Sequence, residues 1–500
     1  MYEINDTLKQ KLAVYSSRLT RYKESNQIKA DNNMFNKSEK QFYKKLKTST
    51  KYEVRPPSKT DITNFWKNMW SHESKHNDKA YWIEEEEQIH GDIKEQEDYI
   101  VTEKELKQTI KQLPNWKGPG KDNIHNFWYK RFTILHKHLT AQINKVIQNP
   151  TEFPTFITPK NAETKIDTHL TNNNIIAEEQ KGCRKHSQGC KEQLVIDSVI
   201  MRQATTDKRN ICTCYIDYRK AFDTVPHSWL NKIMNIYKIN PTLHHFLKTI
   251  MQTWNTQILL ATNTEQIITE TIRIKRGIFQ GDSLSALWFC MCLNPLSNIL
   301  NRTNYGFKIK HDKQEGHKIT HLLYIDDIKI YAATKSQLTQ LVKIIEKFTK
   351  DINMEFGIEK CKAMHIERGK LTDESEPETL NNEILTNMQI NETYKYLGIN
   401  QSTTIKHTLI KQQLKDEYKK RLNQILKTGL NSKNLFKAVN TYAIPTLTYS
   451  FGIIKWTDTD LENINILTRA QLTKHRKLGT YILTRQKNAS PLADEKEEEV

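Results

Sequence analysis

No apolar run in this chain of 500 residues approaches the roughly 20 consecutive positions that a bilayer-spanning helix needs. The N-terminus is peppered with lysine and does not read as a secretory signal. Cysteine is scarce and odd in number, seven in all, which argues against a secreted disulfide framework. Cys212/Cys214 and Cys290/Cys292 each form C-x-C on apolar segments and read as small core residues. A zinc site would want a C-x2-4-C pair matched by a second pair of Cys or His. Glycine is sparse too, at 15, and with a mean hydropathy of −0.72 this points to a helix-rich protein with a polar surface. Acidic residues fall short of basic ones, 58 against 76, which leaves a formal charge of +18. That excess favours phosphate-rich partners through counterion release. A hydrophobic content of 37% suffices for a packed core, and the length allows roughly two to four domains.

What is present concentrates in three segments. His321 to Tyr331, HLLYIDDIKIY, sets Asp326-Asp327 between two apolar, β-rich runs and reads as strand, tight turn, strand. Two adjacent carboxylates at a hairpin tip are costly unless a cation is held there, and a divalent metal is the usual answer. A lone Asp-Asp turn is ordinarily only solvated, so the reading depends on its companions. The first is Ile211 to Asp223, ICTCYIDYRKAFD, an apolar strand-like run that delivers Asp217 at its end. Leu230, Ile233, Met234 and Tyr237 then follow at helical spacing. The second is Arg276 to Phe289, RGIFQGDSLSALWF, a glycine loop carrying Gln280 that opens an apolar helix.

A carboxylate at a strand end, a glycine loop with a glutamine, and an Asp-Asp hairpin, in that order, resemble the polymerase palm motifs of reverse transcriptases. RKAFDTVPHSWL, GIFQGDSLSALWFCMCLNPLS and LLYIDDIKIYA narrow the resemblance to non-LTR (LINE-type) retrotransposons, and within them to the R2/R4/Dong-like lineage. WKGPGKDNIHNFWYKRF (Trp116 to Phe132), EEQKGCRKHSQGCKEQL (Glu178 to Leu194) and YKYLGI (Tyr394 to Ile399) are similar to that lineage's fingers segments and primer grip. The similarity runs from about residue 40 to about residue 480.

The resemblance implies an α+β, right-hand polymerase with fingers, palm and thumb, an antiparallel palm sheet and a helical thumb. It divides the chain into a helical, basic N-terminal arm (1–100), fingers (101–203), palm (204–400), thumb (401–480) and a disordered tail (481–500). It also implies two Mg²⁺ or Mn²⁺ ions held by Asp217, Asp326 and Asp327, with the main-chain carbonyl of Tyr218. Phe222 would pack under the incoming sugar and exclude a ribose hydroxyl. Gln280 and Gly281 would lie against the nascent base pair, and Lys360 would protonate the pyrophosphate. Arg276, with Arg273 and Lys275, would face template phosphates. Tyr394, Leu397 and Gly398 would position the primer end. The implied partners are an RNA template, a DNA primer or target, and dNTPs, with a nuclear site of action and no membrane.

Without that resemblance several of these residues have plainer readings. Phe222 would be core, Asp223 a helix N-cap before Pro226, and the run Glu84 to Glu87 a solvated surface. The chain also departs from the lineage. Only about twenty residues separate Asn149 from Asn172, with no Asn-Tyr-Arg-Pro-Ile-like motif, so the fingers read as shortened near 150–172 and short of a strand pair. No cysteine-histidine knuckle or endonuclease follows the thumb. The sequence therefore reads as a fragment, a decayed copy or a gene prediction that skipped sequence. The alternative function is a catalytically inactive remnant of the fold that only binds RNA.

Overall fold

The structure is a computed structural model that describes residues 2–46, 57–98, 100–113, 115–116, 124–150, 160–184, 186–261, 266–310, 316–372, 379–380, 383–390, 392–403 and 405–475. Residues 117–123, 151–159 and 481–500, on which expectations were placed above, lie outside the described residues. The chain divides into two compact units: Arg55–Leu397 with Ser402–Thr404, and Met1–Val54, Gly398–Gln401 and Ile405–Val500.

The larger unit is built on a six-stranded sheet. Helices α1 (Lys59–Trp70), α2 (Tyr81–Ile89) and α3 (Cys190–Thr206) precede β1 (Ile211–Ile216). Helices α4 (Ala221–Thr224), α5 (His227–Ile236) and α6 (Ser283–Arg302) separate β1 from the hairpin of β2 (His321–Tyr324) and β3 (Asp327–Ala332). Then come α7 (Lys335–Asp351), β4 (Lys362–Glu367), β5 (Lys370–Leu371) and β6 (Thr386–Asn387). The strand order is β5-β4-β1-β3-β2, with antiparallel neighbours, and β6 pairs in parallel with Lys362 and Ala363 of β4, the stretch that β5 leaves open. The sheet is thus mixed rather than wholly antiparallel. The chain reaches β6 running in the same direction as β4, so that pair cannot be antiparallel.

Every residue of β1 is buried, which is why its sequence is a continuous apolar run rather than an alternation. Cys212, Cys214 and Ile216, with Ile328 and Ile330 of β3, face a core filled from α5, α6 and α7. Ile211, with Tyr331, Met364 and Ile366, faces Ile200, Met201 and Ala204 of α3. Cys212, Cys214, Cys290 and Cys292 are buried core residues, as their setting suggested. Local signals fix the flanking helices: Thr334 caps α7 by accepting from Gln337 N, and Asp282 caps α6 by accepting from Leu284 N.

Two of the plainer readings fail here. Within the acidic run, Glu86 is 1% exposed and accepts hydrogen bonds from Tyr237 Oη (2.9 Å) and Asn298 Nδ2 (3.0 Å). Helical spacing puts it on the face of Trp82 and Ile83, so it points into the core while Glu84 stays outside. Asp223 caps no helix, since it lies within α4 and accepts from Trp70 Nε1 at 3.1 Å. Among the described residues no strand precedes β1, and Lys160–Asn172 is a helix that buries Ile166 and Leu170.

In the smaller unit the helices Tyr2–Lys37 and Glu39–Leu46 pack Phe35 and Phe42 against Leu422, Ile425 and Leu435 from the C-terminal helices. Asp31 accepts from Lys45 Nζ (3.2 Å) and from the backbone N–H of Gly429 (3.0 Å). Leu8, Leu12, Tyr15, Leu19 and Tyr22, spaced along one face of the first of these helices, are exposed.

Candidate active site

Asp217 stands one residue beyond the end of β1, and Asp327 is the first residue of β3, the strand beside it. The register pairs Ile216 with Ile328 and closes the β2–β3 hairpin at Tyr324 and Asp327. The tight turn is therefore Ile325-Asp326, one residue earlier than an Asp-Asp tip would place it. All three carboxylates are half-buried and lie close enough to act on one another. Burial first, then the charges of Asp326 and Asp217, push the Asp327 carboxyl up to about 6. Burial, with the Asp217 charge adding to it, also raises Asp326.

Lys360, exposed at the end of a 3₁₀ turn, places Nζ 3.1 Å from Asp217 Oδ1, and that hydrogen bond holds its ammonium above the ordinary lysine value. Among the described residues no three His, Cys, Asp or Glu side chains are grouped as the ligands of one ion. The donors present are nonetheless all oxygen, which suits a hard divalent cation, and the Lys360 ammonium already serves as a positive counter-charge to Asp217. Tyr218 is buried, with Oη 3.1 Å from Thr349 Oγ1, which fixes the backbone next to Asp217.

The profile of the family described as reverse transcriptase (RNA-dependent DNA polymerase) matches residues 142–401, just over half of the chain. The chain belongs to that family. Its matches among curated proteins are to Pol polyproteins of R2 retrotransposable elements, which support an R2-like, non-LTR reverse transcriptase. One, from Popillia japonica, is 24% identical over 237 residues, covering 47% of this chain and 37% of that protein. Another, from Drosophila melanogaster, is 22% identical over 282 residues, covering 54% and 25%. The chain thus spans well under two thirds of the length of these relatives. A solved structure of apo telomerase from Candida tropicalis aligns with a TM-score of 0.34 at 12% identity, over 74% of this chain and 64% of that one.

The other residues singled out in the sequence have these neighbours. Phe222 is half-buried on α4 and stacks on Phe289 of α6, ring centres 5.1 Å apart. Its carbonyl accepts from Ile278 N at 2.8 Å, which ties the Arg276 to Phe289 loop to the segment after Asp217. The glycine that permits this approach is Gly277, where a Cβ would lie 2.6 Å from the Asp223 carbonyl oxygen and φ is 87°. Gln280 is exposed and lines a cleft of about 240 Å³ together with Trp66, Trp70, Asp223 and Phe279, and Gly281 beside it is exposed. Arg276 is committed elsewhere, its Nε donating to the Met69 carbonyl at 2.6 Å, while Arg273 and Lys275 are exposed. Tyr394 stacks on Tyr215 at 4.1 Å, and the chain turns sharply at Leu397 (φ 44°) and Gly398 (φ 82°).

Three contributors escaped the sequence reading. Helix α1, assigned there to an arm, meets the glycine loop through Met69 and α4 through Trp70; its aromatic face was the available signal. Within the Glu178 to Leu194 segment, Glu179 to Lys181 run along β2, a contact its sequence did not show, with Lys181 N donating to Leu323 O and Leu323 N to Glu179 O, both at 3.0 Å. Gln180 of that segment grips the turn: its Oε1 accepts from Ile325 N (2.9 Å) and Gly182 N (2.8 Å). Nothing local in the sequence announces that contact. The third, a buried Lys329–Asp197 pair beneath the carboxylates, is taken up below.

Proposed function

We propose that this chain is an RNA-directed DNA polymerase of an R2-like retrotransposon, transferring nucleotides from dNTPs to a primer 3′-hydroxyl on an RNA template. The observation that supports this most is the meeting of Asp217, at the end of β1, with Asp326 and Asp327, at the β2–β3 turn, in a chain of this family. Two Mg²⁺ or Mn²⁺ ions, when bound, would activate the attacking hydroxyl and neutralise the charge on the leaving oxygens. Asp217, Asp326 and Asp327 would hold them, with the Tyr218 carbonyl completing a shell. Lys360 would then exchange its bond to Asp217 for the leaving pyrophosphate and give it a proton. Phe222, stiffened by its stack on Phe289, would lie under the incoming sugar and select deoxyribose. Gln280 and Gly281 would flank the new base pair, with Arg273, Lys275 and the charge of Arg276 towards template phosphates. Tyr394, Leu397 and Gly398 would set the primer end. The net charge of +18 suits an RNA template and a DNA primer or target. No helix among the described residues is long and apolar enough to cross a membrane, and a nuclear site of action is part of this reading.

The test is primer extension on an RNA template with Mg²⁺ and dNTPs, beside Asp326→Ala. Incorporation by the parent that disappears in the variant is expected. RNA binding without incorporation by the parent would replace this reading with that of an inactive remnant.

A further inference from the structure

We propose that Lys329 and Asp197 are positioning residues for the carboxylates, a buried ion pair in a box of tyrosines that locks the two catalytic strands together. This rests on the reading of the carboxylates as a nucleotidyl-transfer centre. Lys329 lies two residues beyond Asp327 on β3, and Tyr215 two residues before Asp217 on β1; the two are directly paired across the strands. Lys329 Nζ lies 2.5 Å from Asp197 Oδ1, with the side chains 0% and 2% exposed. Tyr331 Oη donates to the same oxygen at 2.7 Å. The ammonium also sits over three rings, 4.5 Å from the centre of Tyr215, 5.3 Å from Tyr396 and 5.6 Å from Tyr331. Tyr215 in turn stacks on Tyr394. One buried charge therefore touches β1, β3, helix α3 and the Tyr394–Tyr396 strand.

Stability alone does not account for such a pair. Withdrawing each ion from water costs several kcal/mol, and apolar residues of the same shape commonly stabilise as well or better. What an ion pair adds is direction: one ammonium that must meet one carboxylate oxygen and three ring faces admits a single strand register. Two residues along a strand is about 7 Å, so a shift of Lys329 against Tyr215 passes almost undiminished to Asp327 against Asp217. Displacements of about 1 Å at reacting groups can cost a hundredfold in rate.

The decisive variant is Asp197→Asn together with Lys329→Met in the full chain, which removes both charges, keeps the volumes and leaves Tyr331 an acceptor. Three quantities are compared with the parent: melting temperature, Mn²⁺ affinity by electron paramagnetic resonance, and kcat and KM for dNTP in primer extension. Asp326→Ala marks which Mn²⁺ binding belongs to the carboxylates. Expected is an unchanged melting temperature, Mn²⁺ affinity lowered about tenfold, and kcat lowered at least about tenfold with KM little altered. A double variant that keeps the parent's Mn²⁺ affinity and kcat would overturn the proposal, as would a parent with no Mn²⁺ binding sensitive to Asp326→Ala. If the double variant does not fold, Tyr331→Phe decides, because it removes one bond to Asp197 and keeps the ring. Weaker Mn²⁺ binding then supports the pair's role, and unaltered binding overturns it. A parent that binds Mn²⁺ at the carboxylates yet incorporates nothing would sink the polymerase reading alone, leaving the Mn²⁺ comparison to decide this one.

Discussion

Ile325 holds a left-handed backbone, φ 57°, immediately before Asp326. A β-branched residue is a poor occupant of that region, and the strain is of order 1–3 kcal/mol. It is tolerated because Gln180 clamps the turn from both sides, accepting from Ile325 N and donating from Nε2 to Ile325 O at 3.3 Å. Gly182 leaves the room: a Cβ there would lie 2.8 Å from Ile325 N. Gln180→Ala removes the acceptor of two backbone N–H groups, which should cost about 1–3 kcal/mol. It should also slow primer extension, because the freed turn no longer fixes Asp326. Thermal melts and single-turnover rates read the two effects separately, and a variant with the parent's rate would show the clamp to be dispensable for Asp326. The aspartates themselves were legible from the sequence, since each ends or begins an apolar run. Their clamp was not, because Gln180 lies 145 positions from Ile325 and a glutamine is ordinary on a surface.

At the scale of elements, α2 separates composition from placement. Its four consecutive glutamates look uniformly solvated, yet the helical turn sends Glu86 inward to Tyr237, Asn298 and His90 and leaves Glu84 outside. Glu85 and Glu87 meet Arg302 and Lys232 at the rim, at 2.7 and 2.6 Å. Glu86→Leu would bury several donors without an acceptor and should destabilise the larger unit by on the order of 3 kcal/mol in urea unfolding. Glu84→Gln should change it by less than about 0.5 kcal/mol. Equal effects of the two would refute the inward placement. Helix α1 makes a similar point, since Ile62, Phe65, Trp66, Met69 and Trp70 recur at helical spacing while nothing local names their partner. Met69 settles on the glycine loop because Arg276 offers its carbonyl a guanidinium, while Trp70 donates to the Asp223 carboxylate of α4.

For the whole molecule, charge and buried histidine set the response to solution conditions. His321 and His365 are buried, and loss of hydration holds both imidazoles down at about 4 against 6.5 for the free side chain. The unfolded chain takes up protons that the folded chain refuses, so this stability is complete above about pH 6.5 and is lost as pH falls towards 4. Each contributes up to about 3 kcal/mol. Urea midpoints should therefore drop between pH 7 and pH 5, and His365→Leu should flatten the drop; a parent midpoint level over that range would rule this out. RNA affinity should fall at least about tenfold between about 50 and about 200 mM salt if the basic excess makes the phosphate contacts. An affinity insensitive to salt would assign binding to other groups.

The sequence by itself determined what its local periods encode. The strand that ends at Asp217, the hairpin around Asp326 and Asp327 and the basic balance all follow from hydrophobic spacing and composition within a few residues of each group. Only the tertiary structure decided which distant side chains complete the site. Gln180 on Ile325, Asp197 beneath Lys329 and Trp70 on Asp223 join positions 132 to 153 residues apart. Such pairs leave no periodic trace, because a polar residue is chosen for the one partner that the packed chain brings to it, and that partner is set by the fold of everything between.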